Sequence, residues 1–270
     1  MSARSDCRAF AMPMVLALVV VVGVMSAVML ERQSAQRMIV SRQLGWYQEH
    51  HARLGLQEGI EAWLRALPSG FDVGAALPAD GHFLDLELRD GTRAVVFLHE
   101  RQNAVLTDLA AVEDASVDAA AAIADAVALA FGEQGPPDGL RTVGPAALSA
   151  HTASPELLQI AAAALIGDSG SASLFATSLI NDRESNGGQC TPSAIGAAAA
   201  AAGVENETRA LLSRMFTVRP TLYYSTVELR GAGQGPPLAR YGGYFVVGTS
   251  RGATGPSRSA FLTWEKLGVE

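Results

Sequence analysis

The chain has 270 residues, 49% of them hydrophobic, with 27 acidic against 20 basic side chains and a formal net charge of −7. Nineteen of the basic residues are arginine and one, Lys266, is lysine; with no basic run, an acidic chain of this kind is a poor polyanion binder. The two cysteines, Cys7 and Cys190, flank a long apolar run, so they would lie on opposite sides of a membrane, or Cys7 would leave with a cleaved leader, and no intramolecular disulfide is expected.

That run, Ala9 to Leu30, holds 22 uncharged and mostly apolar residues behind a short start that carries Arg4 and Arg8. As a helix it is about 33 Å long, enough to cross a hydrocarbon core of roughly 30 Å. A cleavable secretory signal has a shorter apolar region followed by a small-x-small site, whereas ERQSAQR follows here. A lipoprotein signal needs its cysteine after the run, and Cys7 precedes it. Positive charge stands on both sides, with Arg32, Arg37 and Arg42 after the span, so charge counting leaves the orientation undecided.

Helix-compatible sequence continues from Glu31 to Leu67 without a proline until Pro68. Leu56, Ile60, Trp63, Leu64 and Leu67 recur at i, i+4, i+7, i+8 and i+11, an apolar stripe at the helical period. The pattern predicts one helix from about Pro13 to Leu67, roughly 80 Å long, with its first half in lipid and its second half on a folded domain. Pro13 is tolerated near a helix start, while Gly45, Gly55 and Gly59 weaken the middle.

After Pro68, PSGFDVGAALPADG reads as a connector. HFLDLELRDGTRAVVFLHE then sets Phe83, Asp85 and Glu87 against Leu84, Leu86 and Leu88, with Asp90-Gly91 before a second β-rich run. This predicts a hairpin with strands at about 82–89 and 92–99, packed on the helix stripe. From Asp114 the texture turns alanine-rich and helical through SVDAAAAIADAVALAF, SPELLQIAAAALIG, SASLFATSLINDRES, TPSAIGAAAAAAG and ENETRALLSRMF. Ser154-Pro155 and Thr191-Pro192 each read as an N-cap followed by proline at the first helical position, and no strand is expected in this block. TLYYSTVELRG, ARYGGYFVVGTSRG and SAFLTWEKL return to β-branched and aromatic residues, which predicts three antiparallel strands. A helical block between β segments implies an insertion into one α+β domain.

The anchor and its continuation resemble type IV pilins and type II secretion pseudopilins, whose basic leader is cut by prepilin peptidase just before the apolar helix. Ala9 and Phe10 occupy the positions flanking that cut, with Ala9 where the family usually has Gly. Counting from Phe10, the fifth mature position, usually Glu, is Met14; the branch that commonly lacks this Glu is minor pseudopilin K (general secretion pathway protein K family). That branch carries a large helical insertion in its sheet domain and an NTAS-like motif leading into a helix. The corresponding stretch here is His151-Thr152-Ala153-Ser154, with His151 in the Asn place. The resemblance implies an α+β pilin-like fold: a long N-terminal transmembrane and amphipathic helix packed on an antiparallel sheet, with a large all-α insertion. It divides the chain into a leader at 1–9, a long helix at 10–67 spanning the membrane at about 10–30, a first sheet part at 68–111, the helical lobe at 112–215 and the terminal strands at 216–270. It further implies a non-enzymatic minor subunit in the inner membrane with its globular part in the periplasm. Its partners would be the other minor pseudopilins, the pseudopilus, prepilin peptidase and membrane lipid, not nucleic acid.

Other signals point elsewhere and are weaker. LIGDSGSASLFATSLINDR resembles a helix-hairpin-helix, which would make the chain a single-span protein binding DNA or another envelope partner, yet 167–180 holds no Lys or Arg and only Arg183 is close. Gly167-Asp168-Ser169-Gly170 with His151 echoes a serine-protease nucleophile and base, but turn and capping chemistry explains those four letters. His50 and His51 are adjacent and cannot form the i, i+4 pair that metal sites favour. Asn181, Asp182, Glu184 and Asn186 supply oxygen ligands. Calcium is a ligand that the resemblance allows at Asp182 and Glu184, although the spacing lacks an EF-hand pattern. No catalytic residue and no other cofactor is expected.

Overall fold

The computed structural model describes residues 7–66, 73–78, 80–88, 91–110, 112, 114–132, 135–231, 235–247 and 260–268. The chain divides into two compact units, with the boundary after Glu58.

The first unit is the greater part of helix α1, Cys7–Arg65. Every side chain from Met12 to Glu49 is exposed, and the helix is long and apolar enough to cross a membrane. It begins earlier than Pro13, which therefore lies inside the helix instead of in its first turn. The cost is a missing N–H nearly two turns in. In the expected stripe Leu56, Ile60 and Leu64 are buried and Trp63 is half-buried; Leu67 falls outside the described residues.

The second unit begins with the last turns of α1 and contains the short helix α2 (Val73–Ala76) and the strands β1 (His82–Glu87), β2 (Arg93–Glu100) and β3 (Val105–Leu106). Helix α3 (Asp114–Phe131), strands β4 (Leu140–Arg141) and β5 (Leu148–Ser149), and helices α4 (Pro155–Ile166), α5 (Ser169–Ser185), α6 (Ala194–Ala201) and α7 (Asn206–Met215) follow. Strands β6 (Phe216–Thr217), β7 (Leu222–Arg230), β8 (Ala239–Val246), β9 (Ala260–Phe261) and β10 (Glu265–Leu267) end the chain. An antiparallel sheet runs β1-β2-β7-β8-β10, with β9 also on β8. The helices thus enter between two neighbouring strands: the chain leaves at Glu100 of β2 and returns beside it, at Tyr223 of β7.

The expected hairpin is present. Leu88 N–H donates to the Thr92 carbonyl at 2.8 Å and Gly91 N–H to Leu88 at 3.0 Å, while Asp90 lies outside the described residues. A bulge between His82 and Leu84 turns Phe83 away from the polar face shared by Asp85 and Glu87, against the simple alternation. Its ring meets Trp63 edge-on at 5.1 Å, so the bulge converts an expected surface residue into part of the helix–sheet contact. The register puts Ala94, Val96, Leu98, Tyr223, Val227, Tyr241 and Phe245 on one buried face. Glu61 at the end of α1 accepts from Phe261 N–H at 3.1 Å, which ties the helix end to the last strands.

Three expectations are corrected. The helical block contains two short strands: β4 pairs in parallel with β3, and β5 with β6. These two-residue ladders exist because tertiary contacts hold their backbones side by side; they are too short to leave a period in the sequence. Helix α6 starts at Ala194, with Ser193 at its N-cap making no side-chain cap; Thr191 does not cap it, because its hydroxyl and N–H are bonded to Asp182. The last strand is broken into β9 and β10. There the backbone crosses Gly243 so closely that a Cβ would lie 2.0 Å from Thr263 O, and only glycine permits that approach.

Candidate functional site

Two regions carry the chemistry singled out in the sequence: the apolar first half of α1 and the turn before α4. Ala9 and Phe10 lie within α1, and Met14 is 73% exposed on the same helix. Beyond the membrane-length run, Met38, Ile39, Val40, Leu44, Trp46 and Tyr47 are also exposed. Trp46 stacks on His50 at 5.6 Å and Tyr47 meets His51 edge-on at 4.2 Å. Each imidazole therefore covers the aromatic one turn before it, and the two histidines act as parts of an aromatic face.

The His151-Thr152-Ala153-Ser154 turn joins the sheet to the helical lobe. Nδ1 of His151 accepts Cys190 N–H at 2.7 Å, which leaves the proton on Nε2 for the Val218 carbonyl. One ring thus links the α5–α6 loop to the segment between β6 and β7 that returns to the sheet. Thr152 donates to Glu100 at 2.6 Å. Ala153 is fully buried, and Ser154 caps α4 by accepting Leu157 N–H at 3.2 Å, with Pro155 at the first helical position, as the sequence predicts. A cleft of about 260 Å³ opens beside the turn, lined by Glu100, His151, Thr152, Gly187, Gly188 and Gln189 among others.

Around the turn lie ties that sequence reasoning missed. Arg141, only 2% exposed, donates to the carbonyls of Ala104 at 2.9 Å, Val143 at 2.8 Å, Ala147 at 3.5 Å and also Pro145. Burial lowers its pKa to about 10, and with no carboxylate among these partners the guanidinium is satisfied by backbone alone. Gln102 is buried as well; it donates to Ala147 and accepts from Thr221 and Leu222 N–H at 2.7 and 3.2 Å. Arg183 donates to the carbonyls of His151 and Ala153 at 3.2 and 2.8 Å. A lone arginine or glutamine in a loop leaves no periodic mark, so nothing in the sequence singles these out. On the sheet, Glu228 accepts paired hydrogen bonds from Arg230 and Arg240, the shortest 2.6 Å on each side. Burial alone would raise its pKa, but the arginine hydrogen bonds outweigh that and hold it below the ordinary value.

The competing readings find no assembled site. Both ring nitrogens of His151 are spent on backbone groups, so it is no base for Ser169. Asp168 caps α5 by accepting Ser171 N–H at 2.7 Å, and that hydrogen bond holds its carboxyl below the ordinary range. Arg183, close in sequence to the α4–α5 hairpin, is consumed inside the fold. Asp182 offers both carboxylate oxygens to Thr191, at 2.6 and 3.1 Å, while Glu184 is exposed two residues on along α5. The two expected calcium ligands are not brought together, and among the described residues no group of three or more His, Cys, Asp or Glu side chains could hold a metal ion. Cys190 is buried, and burial first, then the Asp182 charge, pushes its thiol up to about 11; an inert structural thiol is the result.

The sequence matches no protein-family profile and no curated protein. Among solved structures, the chain is similar to one from the GspK–GspI–GspJ complex of the enterotoxigenic Escherichia coli type 2 secretion system, with 10% identity and a TM-score of 0.34 over 82% of this chain and 98% of that one.

Proposed function

We propose that this protein is a membrane-anchored, non-enzymatic subunit of a pilin-like filament, specifically a minor pseudopilin of the K type in a type II secretion system. The observation that carries the reading is α1. A single helix of 59 residues begins as a membrane-length apolar run, continues with exposed Ile39, Val40, Leu44, Trp46 and Tyr47, and ends on an antiparallel sheet. Exposed apolar side chains beyond the lipid call for a protein partner, and neighbouring helices of a filament would cover them. The helical lobe inserted between β2 and β7 matches the insertion that the sequence resemblance implies.

In this reading the leader ends at Ala9, prepilin peptidase cuts before Phe10, the span lies in the inner membrane and the folded unit in the periplasm. The subunit caps the filament tip with the other minor pseudopilins. A fifth-position carboxylate in lipid is tolerated only when the next subunit pairs it; Met14 removes that charge, which suits a position without such a neighbour. The bulk of the lobe suits an end position too, because every subunit of a shaft would have to accommodate it.

Quantitative mass spectrometry of purified filaments should find this protein rarely, with immunogold label at one end and a mature N-terminus at Phe10. Abundance equal to the major subunit, with label along the shaft, would overturn the tip assignment. Retention of Met1 or Ser2 on protein from native membranes would overturn the processing. No tight, salt-sensitive DNA binding is expected in a mobility-shift titration.

A further inference from the structure

The segment of α1 just beyond the apolar run has a charge pattern unlike the rest of the chain. Glu31 and Arg32 follow Leu30 directly; Arg37 and Arg42 come next, and no acidic residue appears from Arg32 until Glu49. This is an island of positive charge in a chain of net charge −7. All three arginines are exposed, and none belongs to an ion pair found among the described residues.

Their spacing of five residues rotates each by about 140° from the last at 3.6 residues per turn. Arg32, Arg37 and Arg42 therefore stand on three sides of the helix, a collar instead of a stripe. At 1.5 Å per residue they lie about 3, 10 and 18 Å beyond Leu30, against a headgroup layer of roughly 5–7 Å on each side of the hydrocarbon. Side chains of an α-helix tilt toward its N-terminus, and here the N-terminus is the membrane end. Long arginine side chains on this side thus lean back toward the bilayer, which brings Arg32 and Arg37 to headgroup depth and leaves Arg42 within about one Debye length of the surface. A guanidinium fork matches a phosphate bidentately, as an ammonium does not.

We infer that Arg32, Arg37 and Arg42 bind anionic phospholipid headgroups around α1 where it leaves the bilayer. The inference rests on the membrane-anchor reading and adds to it the lipid class and the residues. Because the collar faces three sides, it keeps lipid contact whichever side of the helix packs on a neighbouring subunit. The same charges oppose withdrawal of the anchor.

The test uses the full chain in vesicles of phosphatidylcholine and phosphatidylglycerol, with spin-labelled versions of each lipid, before and after an alkaline carbonate wash. Wild-type protein should resist the wash and immobilise the phosphatidylglycerol label in preference to the phosphatidylcholine label. The expected preference is roughly fivefold for each lipid that meets one arginine of the collar, and it should fall with added salt. The triple variant Arg32→Gln, Arg37→Gln, Arg42→Gln should remain wash-resistant and lose the preference. Equal immobilisation by wild type, or an undiminished preference in the triple variant, overturns the collar and leaves the anchor standing. Loss of the wild type in the wash overturns the anchor reading and the collar with it.

Discussion

The sheet and the helical lobe of the second unit reach stability by different routes. The sheet buries large side chains: Tyr223, Val227, Tyr241 and Phe245 are at most 2% exposed, and such residues contribute about 1.5–3 kcal/mol each. The lobe core is built mainly from small ones, among them Ala153, Ala161, Ala162, Ala172, Ala176, Ala198 and Ala199 around Phe175 and Leu179. Alanine lets helices approach closely but brings only one methyl group, about 0.8 kcal/mol on the same scale. A small-residue core therefore depends on fixed backbone placement, and the buried ties of Arg141 and Gln102, with the half-buried ones of His151 and Arg183, supply it where the lobe meets the sheet.

Arg141→Met tests that contrast hardest. It removes the buried fork and strands the carbonyls of Ala104, Val143 and Pro145, while Ala147 keeps its bond from Gln102, so about 3–5 kcal/mol should be lost in urea unfolding of the detergent-solubilised chain. Arg141→Lys should recover only part of it, since an ammonium lacks the planar fork. A loss below about 1 kcal/mol would mean that the lobe does not need its polar ties.

Enlargement should hurt the lobe where truncation hurts the sheet. Ala162→Leu adds volume to a fully buried position between close helices and should cost about 1–3 kcal/mol by overpacking. A neutral result would show slack in the alanine core. Smaller still is His151→Ala, expected to cost about 1–2 kcal/mol by leaving Cys190 N–H and the Val218 carbonyl without their partner. In hydrogen exchange the Cys190 amide should lose protection before the sheet amides do.

The smallest effect belongs to the ion-paired carboxylate of the sheet. The folded pKa of Glu228 is depressed below its ordinary 4.5, so its contribution is fully present above the unfolded-state value and is lost as pH falls through the folded one. With Arg230 and Arg240 side chains 42% and 37% exposed, roughly 1 kcal/mol is at stake. Glu228→Gln should flatten that part of an acid titration of stability and leave the neutral-pH lobe signals unchanged. An identical acid limb in the variant would remove Glu228 from the sheet's account.

Local patterns were legible wherever a residue's role repeats along its own element. The apolar run of α1, the stripe through Ile60 and Leu64, the alternation of β1 and β2 about Gly91 and the Ser154-Pro155 start of α4 all carry a period or a capping rule in neighbouring letters. Thr191-Pro192 shows the limit of such rules. A Ser-Pro pair caps α4, but the similar Thr-Pro pair is diverted because Asp182 takes the Thr191 hydroxyl and N–H.

The amino-acid order by itself determined the membrane-length apolar helix, the helix and strand content and the insertion of helices between strands, because these follow from hydrophobic period, turn residues and length. Only the tertiary structure decided that Phe83 turns onto Trp63, that two-residue strands close the lobe, that Gly243 must pass under Thr263 and that Arg141 is caged by carbonyls. Each of these depends on a partner 20 to 68 positions away or on a register shift, except where Arg141 also bonds nearby carbonyls. No local rule encodes such a meeting; it arises when close packing brings unsatisfied backbone groups and side chains together and the few residues able to satisfy them are already there.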